Sequence, residues 1–383
     1  MEEIVISDDP RLDQAKVDAF LARARREVDE GLLPAAAVAV ALDGEVVIEA
    51  SFGVGLDARF VGFSTTKALI AGAIWRLIDS GELDLEAPAC KYIPEFASNG
   101  KDVVTIENLL THTGGFPWAP LGPGKCETLE LRRQGYGRWR LTAEVGTSFV
   151  YHPVAGHWVL ADIAGIITGM THTDAIEELV TRPLGLPRLL GIAVQDQANI
   201  GDCIGVGEVP TPDEMEATFG IRIDISEVLP PDVALNALLT LNDPTARELG
   251  VPGGGGIYHA RDLALLYQGF MRNPGGLWSD EILQEGTQRV RMNLPDMMGI
   301  PASRSLGLVV AGDDGFGGSR GFGRVASPRS FGHPGAGGQI AFGDPVSGLS
   351  MAYLTSGLDQ HIIRQSKRDI AIASLGADVL VSS

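Results

Sequence analysis

From Ala68 to Trp75 the chain reads ALIAGAIW, without one polar side chain. The pattern runs on to about Ser80 and meets Gly81, a residue suited to closing a helix in the left-handed region. A helix that is apolar all round must be buried all round, so other elements have to surround it. It is too short to cross a bilayer. At its mouth stand Ser64, Thr65, Thr66 and Lys67, which puts hydroxyls and an amine at the entrance to a buried helix.

The surrounding elements can be read from periodicity. Residues 11–31 predict an amphipathic helix, with Val17, Phe20, Leu21, Ala24 and Val28 at helical spacing. The segment AVAVALDGEVVIEASFG predicts a β-hairpin turning at Asp43-Gly44, a pair that tolerates positive φ. Thr105 is expected to cap one short helix and Thr173 another, the second ended by Pro183. Residues 185–250 are rich in Pro, Asp and Gly. A helix is expected to start near Ala260. Strands are expected at Leu306–Ala311, Gln339–Gly343 and Leu349–Thr355, and a last helix at Asp359–Leu375. Strands and helices at both ends thus enclose a mostly helical middle. The expected fold is α+β: residues 1–83 and 251–383 form an α/β domain with an antiparallel sheet, and residues 84–250 an inserted helical domain.

Charge and cysteine usage narrow the partners. A formal net charge of −19 argues against nucleic acid or an anionic membrane surface. The longest apolar run, Leu32 to Leu42, is broken by Pro34 and cannot span a bilayer. The acidic start MEEIVISDDPRLDQ lacks the apolar segment of a secretory signal. Cys90, Cys126 and Cys203 are odd in number and widely spaced, which suits a reduced cytoplasm and marks no disulfide frame or zinc site. No metal or cofactor is expected.

Ser64 and Lys67, three residues apart, share one helix face. Free backbone N–H groups at a helix start can bind a developing oxyanion. Lys67 can take the serine proton only as a neutral amine, which needs a shift of about 3 units, or about 4 kcal/mol. The helix dipole supplies about 0.3–1 kcal/mol. Burial can shift a lysine by about 3–5 units, and the apolar run behind Lys67 makes burial plausible. Two other readings fit the same residues: an N-cap serine with an exposed lysine, or a charged Lys67 with the base elsewhere. S-x-x-K also recurs at Ser98–Lys101, in a turn with no apolar helix behind it.

Context separates these readings. FSTTKALIAGAIWRLIDSGELDLEAPACKYIPEF and VTIENLLTHTGGFP are followed by GTSFVYHPVAGHWVLADIAGIITG, PGGGGIYHARDLALL and FGHPGAGGQIAFGDPVSG. In that order they resemble the class C β-lactamase-like serine hydrolases, a superfamily that includes penicillin-binding carboxypeptidases and the family VIII carboxylesterases. The resemblance implies a β-lactamase/transpeptidase-like fold. It makes Ser64 the acyl-accepting nucleophile and Lys67 its activator. Tyr151 becomes the proton shuttle to the leaving group, phenolate-like beside Lys67. His333-Pro334-Gly335 stands in place of K-T-G on a strand edging the site. The amides of Ser64 and Ala336 would form the oxyanion hole, with His333, Gly335, Trp118 and Tyr258 as further substrate-binding candidates.

Two departures bear on activity. The third position of Y-x-N is Pro153, which has neither a side-chain amide nor an N–H for a substrate or for Lys67. It suits N1 of the helix running through Trp158 to Ile167. The lysine of K-T-G is His333, largely neutral at pH 7, so a fixed cation for a β-lactam carboxylate is missing. The ester-cleaving parts remain. The expectation is a cytoplasmic serine carboxylesterase acting on small esters, ahead of an acyltransferase and of a β-lactamase or D-amino-acid peptidase. Ser319 in GGSRG lies in Gly-rich loop and lacks the strand and helix of a nucleophile elbow. PGGGG has no following G-K-[ST] and reads as a turn into a helix. His112, His152, His157 and His172 carry no metal-ligand spacing and read as structural.

Overall fold

In a computed structural model that describes residues 2–225 and 234–381, one antiparallel sheet organises the chain. Its strands are β1 (Glu2–Ile6), β2 (Ala36–Leu42), β3 (Glu45–Phe52), β4 (Val309–Val310), β5 (Phe331–Gly332), β6 (Ile340–Asp344) and β7 (Leu349–Thr355). Their spatial order is β1-β3-β2-β7-β6-β5-β4. All come from the two ends of the chain, and the segment between them is mainly helical. The architecture is α+β, as the sequence reading expects.

The central strand shows why the sheet has two covered faces. Every residue of β2 is buried. Side chains alternate across a strand, so Ala37, Ala39 and Ala41 enter one core and Ala36, Val38, Val40 and Leu42 another. The first core holds α2 (Lys67–Asp79) and α4 (Ala260–Arg272), with α3 (Ala155–Thr168) beyond them. The second holds α1 (Gln14–Asp29) and α5 (Ile362–Ala377). A strand covered on both faces loses its apolar–polar alternation. Its alanines let α4 lie close against the sheet. The hairpin turn is as expected, with Asp43 at φ 53° and Gly44 at φ 85°.

The structure differs from the sequence reading at several elements. Strand β1 was not foreseen, because EEIVI is mostly exposed on an edge and carries no buried face to read. Thr171, rather than Thr173, caps its short helix by accepting from the Asp174 amide at 3.1 Å. The strand expected over Leu306–Ala311 shrinks to β4, because Gly307 at φ 92° turns the chain. Pro153 is not at N1, since α3 begins only at Ala155 after Val154. The stretch 185–250 contains short helices at Pro212–Phe219 and Pro244–Leu249, and its residues 226–233 lie outside the described residues.

A buried ion pair joins two helices of the middle segment. Arg132 donates through Nε and Nη2 to the Asp162 carboxylate, at 2.7 Å for Nη2 and Oδ1. Tyr136 donates to the same carboxylate at 2.6 Å. Asp162 is 2% exposed and Arg132 4%. Losing one partner strands the other charge in the interior, at a cost of about 3–5 kcal/mol. Asp162→Ala should therefore lower the urea unfolding free energy by about that amount, and a loss below about 1 kcal/mol would show the pair to be idle.

Candidate active site

Ser64 stands out of the chain because the backbone before it is bent. Phe60–Val61 pairs with Ile257–Tyr258, and the Gly62 amide donates to the Gly256 carbonyl at 2.8 Å. A Cβ on Gly62 would lie 2.4 Å from the Tyr258 ring, so only glycine fits there. Phe63 then takes φ 46°, a conformation rare for a bulky residue. A 3₁₀ turn over Phe63–Thr66 leads into α2. Thr65 and Thr66 brace that turn by donating to the carbonyls of Gly62 at 2.9 Å and Phe63 at 2.6 Å. From Phe60 to Trp75, Ser64 alone is not fully buried. Strained backbone of this kind recurs at functional sites.

Lys67 is wholly buried. Its Nζ donates to the carbonyls of Pro153 at 2.8 Å and Gly253 at 2.6 Å, and lies 3.2 Å from Ser64 Oγ. Burial, with the charge of Arg304 second, pushes Lys67 well below its ordinary value. A neutral amine has two N–H groups, and here two carbonyls take them. The nitrogen lone pair is then left for the Ser64 hydroxyl. Tyr151 donates its O–H to the same Oγ at 2.8 Å. Burial pushes Tyr151 up to about 12, against a smaller opposing effect from Arg304. Tyr151 is thus a neutral phenol at neutral pH, not the phenolate-like group the sequence suggested. Pro153 also differs from expectation: it serves Lys67 after all, through its carbonyl.

His333 follows β5 and is buried. Its Nδ1 donates to the Pro334 carbonyl at 2.7 Å, and its Nε2 accepts from Arg304 Nη1 at 2.9 Å. A carbonyl only accepts and a guanidinium only donates, so the ring is the neutral Nδ1–H tautomer. Burial, then the charge of Arg304, holds it well below the usual histidine range. Gly335 fits because a Cβ there would lie 2.5 Å from the Gly62 carbonyl. That contact brings the start of the 336–338 turn, at Ala336, beside the entrance to α2.

The sequence missed Arg304. It is 9% exposed, and its guanidinium lies over the rings of Tyr151 and Phe149, at 5.6 and 5.5 Å from their centroids. Its Nε has no hydrogen-bond partner among the described residues, and no carboxylate pairs with it there. The cation said to be missing with K-T-G is therefore present from a different segment. No motif marks it in PASRSLG; the turn at Gly307 brings it in. Gly253 was missed as well, although its signal was visible. A Cβ on Gly253 would lie 2.5 Å from the Pro153 carbonyl, so the glycine run of PGGGG permits a close backbone approach around Lys67.

The remaining candidates divide. Tyr258 is fully buried behind the Ser64 turn against Gly62, so it packs there and does not line an open pocket. Trp118 is 40% exposed and lines a cavity with Phe116 and Trp139. His112, His152 and His157 are not scattered: their rings gather behind Tyr151, His112 at 4.6 Å from it. His172 is separate, its Nε2 3.0 Å from the Gly250 carbonyl. Ser98 Oγ is occupied with the Gly137 carbonyl at 2.6 Å, and Ser319 lies in loop. Among the described residues no cluster of His, Cys, Asp and Glu is arranged to hold a metal ion, and no helix is long and apolar enough to cross a membrane.

The chain is similar to known proteins along most of its length. The family model described as Beta-lactamase matches residues 20–373. An esterase/beta-lactamase, LipL of Mycobacterium tuberculosis, is 26% identical, with 82% of this chain and 75% of that protein covered. A putative D-alanyl-D-alanine carboxypeptidase of Escherichia coli is also 26% identical, over 82% of this chain and 72% of its own. The crystal structure of a family VIII carboxylesterase superposes with a TM-score of 0.75 at 23% identity, covering 98% of this chain and all of that one.

The state of Lys67 can be measured through stability. Between its depressed folded value and the ordinary 10.5, the unfolded chain binds a proton that the folded chain does not. Stability conferred at this position therefore rises with pH across that window, by about 1.4 kcal/mol per unit, and levels off above it. Compared with Lys67→Met, the wild-type protein should gain urea stability as pH rises toward 10.5. A difference that stays flat with pH would mean that folded Lys67 is charged.

Proposed function

This chain belongs to the β-lactamase family and is a serine hydrolase, and from that premise we propose a carboxylesterase that cleaves small carboxylic esters through an acyl-enzyme on Ser64. One observation carries the proposal: Tyr151 O–H and Lys67 Nζ converge on a single oxygen, Ser64 Oγ, at 2.8 and 3.2 Å. Neutral Lys67 takes the Ser64 proton as Oγ attacks the ester carbonyl. The amides of Ser64 and Ala336 receive the oxyanion. Tyr151 gives its proton to the departing alkoxide and is reprotonated from Lys67. The alcohol leaves, and the acyl group stays on Oγ. Water then attacks with its proton passing to the same base, and the carboxylic acid departs as Oγ regains its hydrogen.

Ester over amide substrates is supported by what Pro153 lacks. Its carbonyl is engaged by Lys67, and no side-chain amide at this position faces a substrate amide. The esterase name of LipL points the same way. A second reading, a β-lactamase or D-amino-acid peptidase, draws on buried Arg304 and on the carboxypeptidase relative. Nitrocefin turnover as fast as ester turnover would favour it. Acyl transfer to an alcohol uses the same intermediate, and product analysis with a competing alcohol separates it from hydrolysis. We place the enzyme in the cytoplasm with a small-molecule ester as partner, and neither nucleic acid nor membrane; three unbridged cysteines suit a reducing compartment.

Two measurements test the mechanism. Ser64→Ala should reduce hydrolysis of p-nitrophenyl acetate and butyrate by at least about 10³-fold; retained activity would remove Ser64 from the reaction. Arg304→Gln keeps a donor for His333 but deletes the charge. Protonation of Lys67 then becomes easier and its pKa rises, so the acidic limb of the kcat/KM profile should move to higher pH. An unmoved limb would show that Arg304 does not tune the base.

A further inference from the structure

We propose that the cavity of about 440 Å³ beside Trp118 is a second binding site, for an organic anion with a flat apolar body such as an aromatic carboxylate. The proposal goes beyond the esterase reading and does not depend on it. One wall of the cavity is aromatic. Phe116 and Trp139 stack at 5.8 Å with planes 25° apart, and Trp118 stands beside them 40% exposed. Its rim is cationic: Lys125, Arg138 and Arg140 line it and are exposed. Among the described residues none of the three makes an ion pair or side-chain hydrogen bond, although most arginines elsewhere in this acidic chain face a carboxylate. The excess charge is felt nearby, since Lys101 is pushed down to about 8 by burial and by Arg140.

Unpaired cations repel one another, and an anion seated among them relieves that cost. Two guanidinium forks suit a carboxylate, which they can hold in bidentate fashion. The exposed ring of Trp118 suits a planar ligand. The volume falls in the range of small-molecule sites, about 300–1,000 Å³. This ligand is not the ester under attack. The rings of Phe116, His152, His112 and Tyr151 stand in file between the cavity and Ser64, at successive centroid distances of 4.8, 5.9 and 4.6 Å.

Tryptophan fluorescence of the full-length Ser64→Ala protein, titrated with 2-naphthoate, 2-naphthamide and inorganic phosphate, tests the assignment. The expected result is saturable binding of 2-naphthoate, at least about tenfold tighter than the neutral amide or phosphate and weakened by salt. The double variant Arg138→Gln/Arg140→Gln, with an unchanged thermal midpoint, should lose at least about tenfold in affinity. Equal binding of the amide would overturn the role of charge, and equal binding of phosphate that of the aromatic wall. An unshifted double variant would overturn the location. So would loss of 2-naphthoate binding once Ser64 of the wild-type protein is blocked by a phosphonate.

Discussion

Lys67 Nζ sits among two backbone carbonyls and a serine hydroxyl, in a place from which water is shut out. An ammonium ion there would cost several kcal/mol to bury without a carboxylate, so the group gives up its proton instead. Much of the architecture follows from keeping that amine dry and satisfied. Helix α2 must be apolar on all sides to surround its stem. Pro153 and Gly253 lie far apart in the sequence, so the helical middle and the returning chain both have to close over the same atom. Gly253 has to be glycine for that closure, because a side chain would collide with the Pro153 carbonyl.

Electrostatics at the site is simple once protonation is assigned. Tyr151 is a phenol, and His112, His157 and His333 are held neutral by burial and by the charge of Arg304. With Lys67 an amine, Arg304 is the charged group beside Ser64; among the described residues no carboxylate forms an ion pair with it, and Asp296 acts on it only from a distance. In a low-dielectric site the field of Arg304 acts on Lys67 and on any negative charge that develops at Ser64 in the proposed reaction. Tyr151 is caught between opposing influences. Burial raises it and the Arg304 charge lowers it, so it can donate a proton yet still recover one.

How much of this was legible depends on whether the information is local. The β2–β3 hairpin, the capped start at Thr105 and the buried helix α2 were readable because turn chemistry and periodicity are written in adjacent residues. Ser64, Lys67 and Tyr151 were readable because they sit in motifs. Edge strand β1 was not, since nothing in EEIVI is buried on a face. Arg304 was not, because a lone arginine in a loop joins the site only when Gly307 folds that loop against Tyr151. Pro153 was misjudged for a related reason. A proline's residue type announces only the side-chain donor it lacks, whereas here the backbone carbonyl does the bonding.

Several features at this site lower stability when taken alone. Phe63 holds a positive φ, Lys67 is a buried amine, and Arg304 is a buried cation with no ion pair among the described residues. All three gather at the N-terminal end of α2, beside the partly exposed Ser64. The same helix buries every residue from Ala68 to Trp75. Apolar burial on that scale offsets strain and desolvation that a surface helix could not tolerate. The greasy run and the polar mouth therefore belong to one design: the first supplies the stability that lets the second remain unfavourable, and the reactivity proposed for Ser64 rests on that imbalance.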